Sequence, residues 1–359
     1  MKRVNFAFAA LATVAGAAYG QSSVTLYGII DQGVSKMNDG QSTLTFFPVA
    51  VIGRPDVYTV RSATSSRIGL RGTEDLGGGL KANFLIEHRF QPDTGTVEPR
   101  DGPVTTFWNA AAYVGLSSSQ FGEVRLGRQY VPAFYVAIAS DPWSYDYNVA
   151  GASGFTRGGN AVTTAYNAIT YRTPNIGGFS GEVMVAAGEG GAAVVNAPAG
   201  RSGRNTGANV QYAKGPLWIG LAFNNSQQVG TPVRNRYWTS GAAYDFGFVR
   251  PIISFSQGQN NVANNPHTKT MLIGATAPIG SGRVKAVVAK YNAAVGQNFN
   301  AANPFLPQNL TNGQDTTKFG LGYEYFLSKR TSVHADLGMA KTQTVSRTTG
   351  VEAGIKHVF

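Results

Sequence analysis

The chain has 359 residues, of which 43% are hydrophobic, only 14% are charged, 45 are glycine and none is cysteine, and its formal net charge is +11. So little charge argues against an ordinary soluble domain, about a quarter of which is charged, and a mean hydropathy of −0.11 argues against a bundle of membrane helices. Without cysteine there are no disulfides or thiolate metal sites, and the dispersed basic residues contain no run of the kind that marks a nucleic-acid module.

At the N-terminus Lys2 and Arg3 precede an apolar stretch over 6–18 and the small residues Ala18 and Gly20. A charged end, a short apolar core and a small-residue cut predict a secretory signal peptide over 1–20, removed between Gly20 and Gln21. The apolar core is too short to cross a bilayer as a helix, which takes about 20 residues. Loss of Lys2 and Arg3 lowers the net charge from +11 to +9.

From residue 23 onward, strand-length segments alternate apolar and polar residues. Sixteen are predicted: 23–35, 57–72, 79–90, 105–117, 121–130, 165–173, 178–188, 203–213, 216–226, 237–246, 248–258, 267–278, 282–293, 315–327, 330–342 and 348–359. Period two puts neighbouring side chains on opposite faces. Thus Phe319, Leu321, Tyr323 and Tyr325 oppose Lys318, Gly320, Gly322 and Glu324, and Val351, Ala353, Ile355, His357 and Phe359 oppose Glu352 and Lys356. The connections are alternately tight, as at Gly77-Gly78-Gly79, Asn175-Ile176-Gly177-Gly178 and Asp245-Phe246-Gly247, and long. A Greek-key sandwich has no reason for such alternation. Segments near ten residues suit a tilted bilayer span, and Tyr27, Phe90, Tyr130, Tyr171, Tyr291, Tyr325 and Phe359 lie toward segment ends, where interfacial girdles form.

The expected fold is therefore all-β: a 16-stranded antiparallel transmembrane barrel over 21–359 with short periplasmic turns and long extracellular loops. An even count lets the first and last strands pair and leaves no open edge in lipid. About sixteen strands leave an aqueous channel rather than a packed interior. The longest connection, 131–164, follows the fifth strand and holds Asp141, Asp146, Arg157, Trp143, Tyr145, Tyr147 and Phe155. Long loops are usually functional. Strand parity directs Arg71, Lys81, Glu87, Arg89, Arg250, Arg283, Lys285 and Lys318 inward, because a charge on the lipid face at mid-bilayer costs about 2–4 kcal/mol.

Ser23-Val24-Thr25-Leu26-Tyr27-Gly28, then Ser66-Arg67-Ile68-Gly69-Leu70-Arg71-Gly72-Thr73-Glu74-Asp75-Leu76-Gly77-Gly78-Gly79, Val114-Gly115-Leu116 and Leu126-Gly127-Arg128-Gln129-Tyr130 resemble the general porins of Gram-negative outer membranes, in their small, basic, trimeric branch. The resemblance implies a homotrimer in contact with outer-membrane lipid and lipopolysaccharide. It also implies a third loop folded into the pore, opposite a ladder of wall arginines. On the motifs, those arginines are Arg67, Arg128 and Arg172, facing Asp141 and Asp146 of the loop at the constriction. Parity agrees for Arg67 and Arg172, whereas Arg128 shares parity with Leu126 and needs a bulge at Gly127 to turn inward. The terminal Phe359 resembles the signal read by the barrel-assembly machinery. Two departures bear on selectivity: Pro132-Ala133-Phe134-Tyr135 lacks the family's loop carboxylate, and Asn109-Ala110-Ala111-Ala112 lacks a further arginine.

The implied function is passive, weakly anion-selective diffusion, since guanidinium groups stay charged and favour anions in a narrow passage. A substrate-specific channel for phosphate or organic acids is the nearer alternative, and an adhesin or an enzyme the remoter one. No Gly-x-Ser-x-Gly, Walker or His-Glu-x-x-His motif occurs, and the four histidines are scattered, so no catalytic residue, cofactor or metal is expected.

Overall fold

The computed structural model describes residues 23–37, 58–98, 106–144, 146, 148–152, 162–188, 203–227, 233–261, 267–293, 315–343 and 347–359. The expected cleavage bond Gly20–Gln21 lies outside the described residues, as do Tyr145, Tyr147, Phe155 and Arg157.

The chain is strand after strand. The first quarter forms β1 (Ser23–Met37), β2 (Tyr58–Arg61), β3 (Arg67–Gly77), β4 (Leu80–Gln91) and β5 (Thr96–Val97). Then come β6 (Ala111–Ser118), β7 (Gly122–Tyr130), the helix α1 (Pro132–Ala139), β8 (Thr164–Arg172) and β9 (Phe179–Ala186). The remainder is β10 (Asn205–Lys214), β11 (Leu217–Gln227), β12 (Arg234–Tyr244), β13 (Arg250–Asn260), β14 (His267–Ile279), β15 (Gly282–Ala293), β16 (Thr316–Phe326), β17 (Thr331–Thr342) and β18 (Thr348–Val358).

Each long strand pairs antiparallel with its neighbours, and β18 returns to β1 with Ile29 opposite Val358 and Met37 opposite Gly350. The terminal residue completes the seam: Gly28 and Phe359 exchange backbone hydrogen bonds of 3.0 and 3.1 Å. The Phe359 ring lies where a Cβ on Gly28 would sit. The sheet is thus closed. Its spanning strands are sixteen, because β2 and β3 lie end to end along the same edge of β1 and β5 is a two-residue piece paired with the end of β4.

Two predicted strands are corrected. The segment 57–72 is broken over residues 62–66, where Asp31 of β1 supplies the missing partners. Its Oδ1 accepts from the Ala63 N–H at 3.1 Å, its carbonyl accepts the Ser62 hydroxyl at 2.8 Å, and its N–H donates to Ser66 Oγ at 3.0 Å. The segment 105–117 starts as a strand only at Ala111, because Asn109 replaces a ladder residue with its side chain. Its amide accepts from Arg89 N–H at 2.7 Å and donates to the carbonyls of Arg89 and Glu98 at 3.0 and 2.7 Å.

The alternation is visible in exposure. On β16, Phe319, Leu321, Tyr323 and Tyr325 face out while Thr316, Lys318, Gly320, Gly322 and Glu324 face in. At the short-turn end Phe121, Phe179, Phe246, Phe248 and Phe326 form an outward aromatic rim, as an interfacial girdle requires. Tyr27, Tyr130 and Tyr291 do not belong to it. Tyr27 and Tyr130 both donate hydroxyls to Glu87 at 2.9 Å, and Tyr291 is 1% exposed, so all three are interior side chains set by strand parity. The packed apolar core is not under the wall but between the wall and the loop that follows β7.

Candidate pore constriction

The loop leaves β7 through Val131, which is extended, and enters α1 with Pro132 at its first position. There the missing N–H costs nothing and the fixed φ is already helical. The sequence reading assigned no helix here. The α1 sequence, Pro-Ala-Phe-Tyr-Val-Ala-Ile-Ala, is apolar all round, and Val131, Ala133, Phe134, Val136 and Ala137 pack on Ala165, Ala168, Met184, Ala186, Ala222 and Tyr237 of the inner wall. Beyond the helix, Trp143, Ala150 and Ala152 pack on Ala243, Ile252, Leu272, Val287 and Ala289.

A trail of glycines marks this route. A Cβ on Gly220 would meet Val136 at 3.1 Å, on Gly241 would meet Ser140 at 2.5 Å and on Gly274 would meet Pro142 at 2.5 Å. Farther along, Cβ atoms on Gly320 and Gly338 would collide with the carbonyls of Ala150 and Val149. The loop therefore lies against the inner face from β8 to β17, where glycines and alanines among the larger apolar side chains make room for it. The wall formed by β3, β4 and β7, and the short-turn end of β8, carry the arginines.

On that wall Arg67 stands opposite Arg89, and Arg67 Nε donates to the Ser65 carbonyl at 3.1 Å. Arg89 donates to Glu87 at 3.0 Å and sits over the Tyr130 ring at 5.6 Å. Asp146 of the loop comes to the same place, taking the Thr64 hydroxyl at 2.9 Å. Burial pushes the Asp146 carboxyl up, while Arg67, Lys356 and Lys285 pull it down. Arg67, Arg89, Glu87 and Asp146 thus share one polar cluster.

Arg128 lies elsewhere. A register shift between Gly127 and Gln129, with Gly127 at φ 131°, puts Arg128 on the buried side, while Leu126 is 50% exposed. Nε and Nη2 of Arg128 both donate to the Asn109 carbonyl, at 3.0 and 2.7 Å, and Nη2 also donates to Thr164 Oγ1 at 3.0 Å. The guanidinium ties the end of the loop to the turn before β6. Arg172 is held by carboxylates instead: Glu182 at 2.9 Å and Glu123 at 3.7 Å, with the Tyr135 ring of α1 at 5.7 Å. It lines a cavity of about 280 Å³ toward the short-turn end, together with Glu123, Glu182 and Asn209. The structure does not bring Arg172 to Arg67.

Asp141 is 3% exposed, and its Oδ1 accepts the Trp143 N–H at 2.7 Å. Burial pushes its carboxyl up to about 6, against the pull of that N–H and of Lys318 and Lys285. Lys318 is fully buried, and Lys285 pairs with Glu324 at 3.0 Å. Arg250 and Arg283 line a second cavity of about 440 Å³ with Asp141 and Asp245. Arg71 and Lys81 are exposed near the short turns, Arg71 lying 5.4 Å from the Tyr27 ring.

Sequence reasoning missed Arg125, whose Nη2 donates to Glu123 at 2.6 Å and whose guanidinium covers Tyr113 at 4.8 Å. Its parity, opposite Val124 and Leu126, was the available signal. The bulge at Gly127 is what lets Arg125 and Arg128 share a face across an odd spacing. The glycine trail was likewise legible, as glycines at inward positions of successive strands.

Over residues 7–344 the sequence matches the family described as Gram-negative porin. It is 32% identical to outer membrane porin protein 32 of Delftia acidovorans and 29% identical to an outer membrane porin protein of Bordetella pertussis, in each case over 100% of both chains. Among solved structures, the anion-selective porin from Comamonas acidovorans superposes with a TM-score of 0.76 at 30% identity, covering 94% of this chain and 100% of that one. The trimer form of OmpT from Vibrio cholerae, at 15% identity and a TM-score of 0.67, covers 94% of this chain and 99% of that one and shares the fold.

Proposed function

The chain belongs to the Gram-negative porins of the outer membrane, and from that premise we propose that it conducts small hydrophilic solutes passively, with a weak preference for anions, as a homotrimer in outer-membrane lipid and lipopolysaccharide. The observation that carries the preference is the division of the interior. The loop backbone and its buried apolar side chains cover the inner face from β8 to β17, Arg67, Arg89, Arg125 and Arg128 stand on β3, β4 and β7, and Arg172 stands where the two meet, against Tyr135 of α1. A guanidinium stays charged at any working pH, lowers the cost of an anion losing water and repels cations. Several of these charges are partly cancelled. Glu123 and Glu182 answer Arg125 and Arg172, and Glu87 answers Arg89. That cancellation is the reason to expect a weak preference rather than a strict one.

In this reading Arg67 and Asp146 set the field across the passage, with Arg71, Lys81, Arg250 and Arg283 adding a positive lining, while Lys318 is buried and Lys285 is held by Glu324. Arg128 serves to hold the loop, and Arg172 to brace α1. The role is diffusion and not catalysis, which accords with relatives that are porins. A relative titled anion-selective at 30% identity supports the sign of the preference. The test is the zero-current potential of purified protein in a planar bilayer under a tenfold potassium chloride gradient. A potential of the sign carried by chloride supports the reading, and one carried by potassium overturns it. Saturable block of the current by one phosphate or carboxylate solute would favour the specific-channel alternative.

A further inference from the structure

The inner face of β17 and β18 holds a cluster that the channel reading does not use. His334, Asp336 and Glu352 each offer one ligand atom within 4.8 Å of the other two. The centre of such a triangle is no more than about 2.8 Å from any of them. Closing to zinc-like distances of about 2.0–2.2 Å asks only a small movement of each side chain. All three project inward, opposite the outward Val333, Ala335, Val351 and Ala353.

The surroundings resemble an outer shell. Asp336 Oδ1 accepts the Trp143 indole N–H at 2.8 Å, leaving Oδ2 facing His334 Nδ1 at 3.3 Å. Glu352 Oε2 pairs with Arg61, leaving Oε1 buried with no hydrogen-bond partner among the described residues. His334 Nε2 faces Asp31 Oδ2 at 3.4 Å, and neither atom has a hydrogen bond among the described residues, while Asp31 Oδ1 is held by the Ala63 N–H. Metal-bound histidines characteristically direct their second ring nitrogen at a carboxylate. Every ligand here therefore has its non-ligating side engaged or faced.

Asp31, Asp336 and Glu352 gather here with Arg61, and Lys318 lies close enough to act on Glu352, while Lys285 and Lys356 are both held by Glu324. The unanswered atom is Glu352 Oε1, which finds no hydrogen-bond partner among the described residues. A proton on His334 would answer Asp31 and Asp336, but charge-assisted hydrogen bonds run at about 2.7–2.9 Å. Both imidazole contacts here are longer, and a proton leaves Glu352 Oε1 unanswered. We propose that His334, Asp336 and Glu352 bind a divalent first-row transition-metal cation of the zinc type, with Asp31 orienting the imidazole. One nitrogen and two carboxylate oxygens suit zinc better than calcium or magnesium, which prefer all-oxygen cages. Bound there, the cation would tie Trp143 of the constriction loop to the wall through Asp336.

The test uses the full chain purified in detergent, stripped with chelator and titrated with zinc chloride by calorimetry. One saturable site per chain is expected, weakened by about 100-fold or more in His334→Gln and Glu352→Gln and by about 10–100-fold in Asp31→Asn, as for an outer-shell carboxylate. His267→Gln, at an exposed histidine, should leave it intact. Zinc-edge absorption of the loaded wild type should report one imidazole nitrogen with carboxylate oxygens, and this decides the matter even where a variant misfolds. No saturable zinc binding, binding that survives His334→Gln and Glu352→Gln, or a spectrum without nitrogen would overturn the proposal and leave His334 as an imidazolium bridge.

Discussion

Neutralising Arg67 should weaken anion preference more than neutralising Arg172, although sequence motifs treat the two alike. Arg172 stands between Glu182 and Glu123, at 2.9 and 3.7 Å, with Arg125 also on Glu123, so its charge is held in a balanced group of two arginines and two carboxylates rather than presented to the passage. Arg67 Nε is bound to a backbone carbonyl, its register partner is another arginine, and Glu87 and Asp146 act on it from the same cluster without the close pairing that holds Arg172. A unit charge about 4 Å from a passing ion contributes about 1 kcal/mol in water, roughly a fivefold change in local anion concentration. Cations change by the same factor in the other direction, so the permeability ratio could move by up to about 25-fold, reduced by screening over ~8 Å at physiological salt. We expect Arg67→Gln to lower the chloride-to-potassium ratio at least about threefold, and Arg172→Gln to change it by less than about twofold. Both are read as zero-current potentials in planar bilayers at low salt, where screening is least. Equal losses, or a larger loss in Arg172→Gln, would refute the reasoning that ion pairing decides which arginines act on permeant ions.

Other outcomes follow from the same geometry. The Asp141 carboxyl, pushed up to about 6 by burial, is favoured in its neutral form when folded. Its contribution to loop docking is therefore present at low pH and is lost as pH rises through about 6. Anion preference should fall over the same window, and Asp141→Asn should flatten that pH profile of the zero-current potential. Arg128→Lys should not rescue Arg128→Ala, because an ammonium cannot fork onto the Asn109 carbonyl while reaching Thr164. Both should lower stability by about 2–4 kcal/mol, read as a thermal melt in detergent. Gly127→Ala, with φ 131° and a Cβ driven onto the Ala112 carbonyl, should cost about 1–3 kcal/mol and reduce the folded fraction on electrophoresis. Deleting Phe359 should slow refolding of the purified chain into detergent, since its backbone pair with Gly28 closes the seam. Unchanged refolding with loss only in cells would confine Phe359 to recognition by the assembly machinery.

What the sequence disclosed, and what it hid, has a single physical cause. Strand faces repeat every two residues, so Phe319, Leu321, Tyr323 and Tyr325 declare their side of the wall without reference to anything distant. A bulge or a break depends on a partner far along the chain. The interruption over 62–66 exists because Asp31 offers its side chain to Ala63, more than thirty residues away, and the late start of β6 exists because Asn109 caps Arg89. Neither partner carries a period. Tyr130 and Tyr291 were misread for the related reason that an aromatic near a strand end belongs to the girdle only if its parity points outward. The loop is the extreme case. Its path depends on contacts between residues 132–152 and strands as remote as β17, and its own sequence says only that it is long and apolar. Yet the path is written in the wall. An inward-facing position in a water-filled barrel has no steric reason to be glycine, since any polar side chain could extend into solvent there. Gly220, Gly241, Gly274, Gly320 and Gly338, on five different strands, are all overlain by the loop, and at each the nearest loop atom would be within 3.1 Å of an added Cβ, although at Gly220 the Trp218 ring lies closer still, at 2.7 Å. Inward glycines in an otherwise alternating barrel therefore predict an occupied interior, and their succession from β11 to β17 gives the direction in which the loop runs.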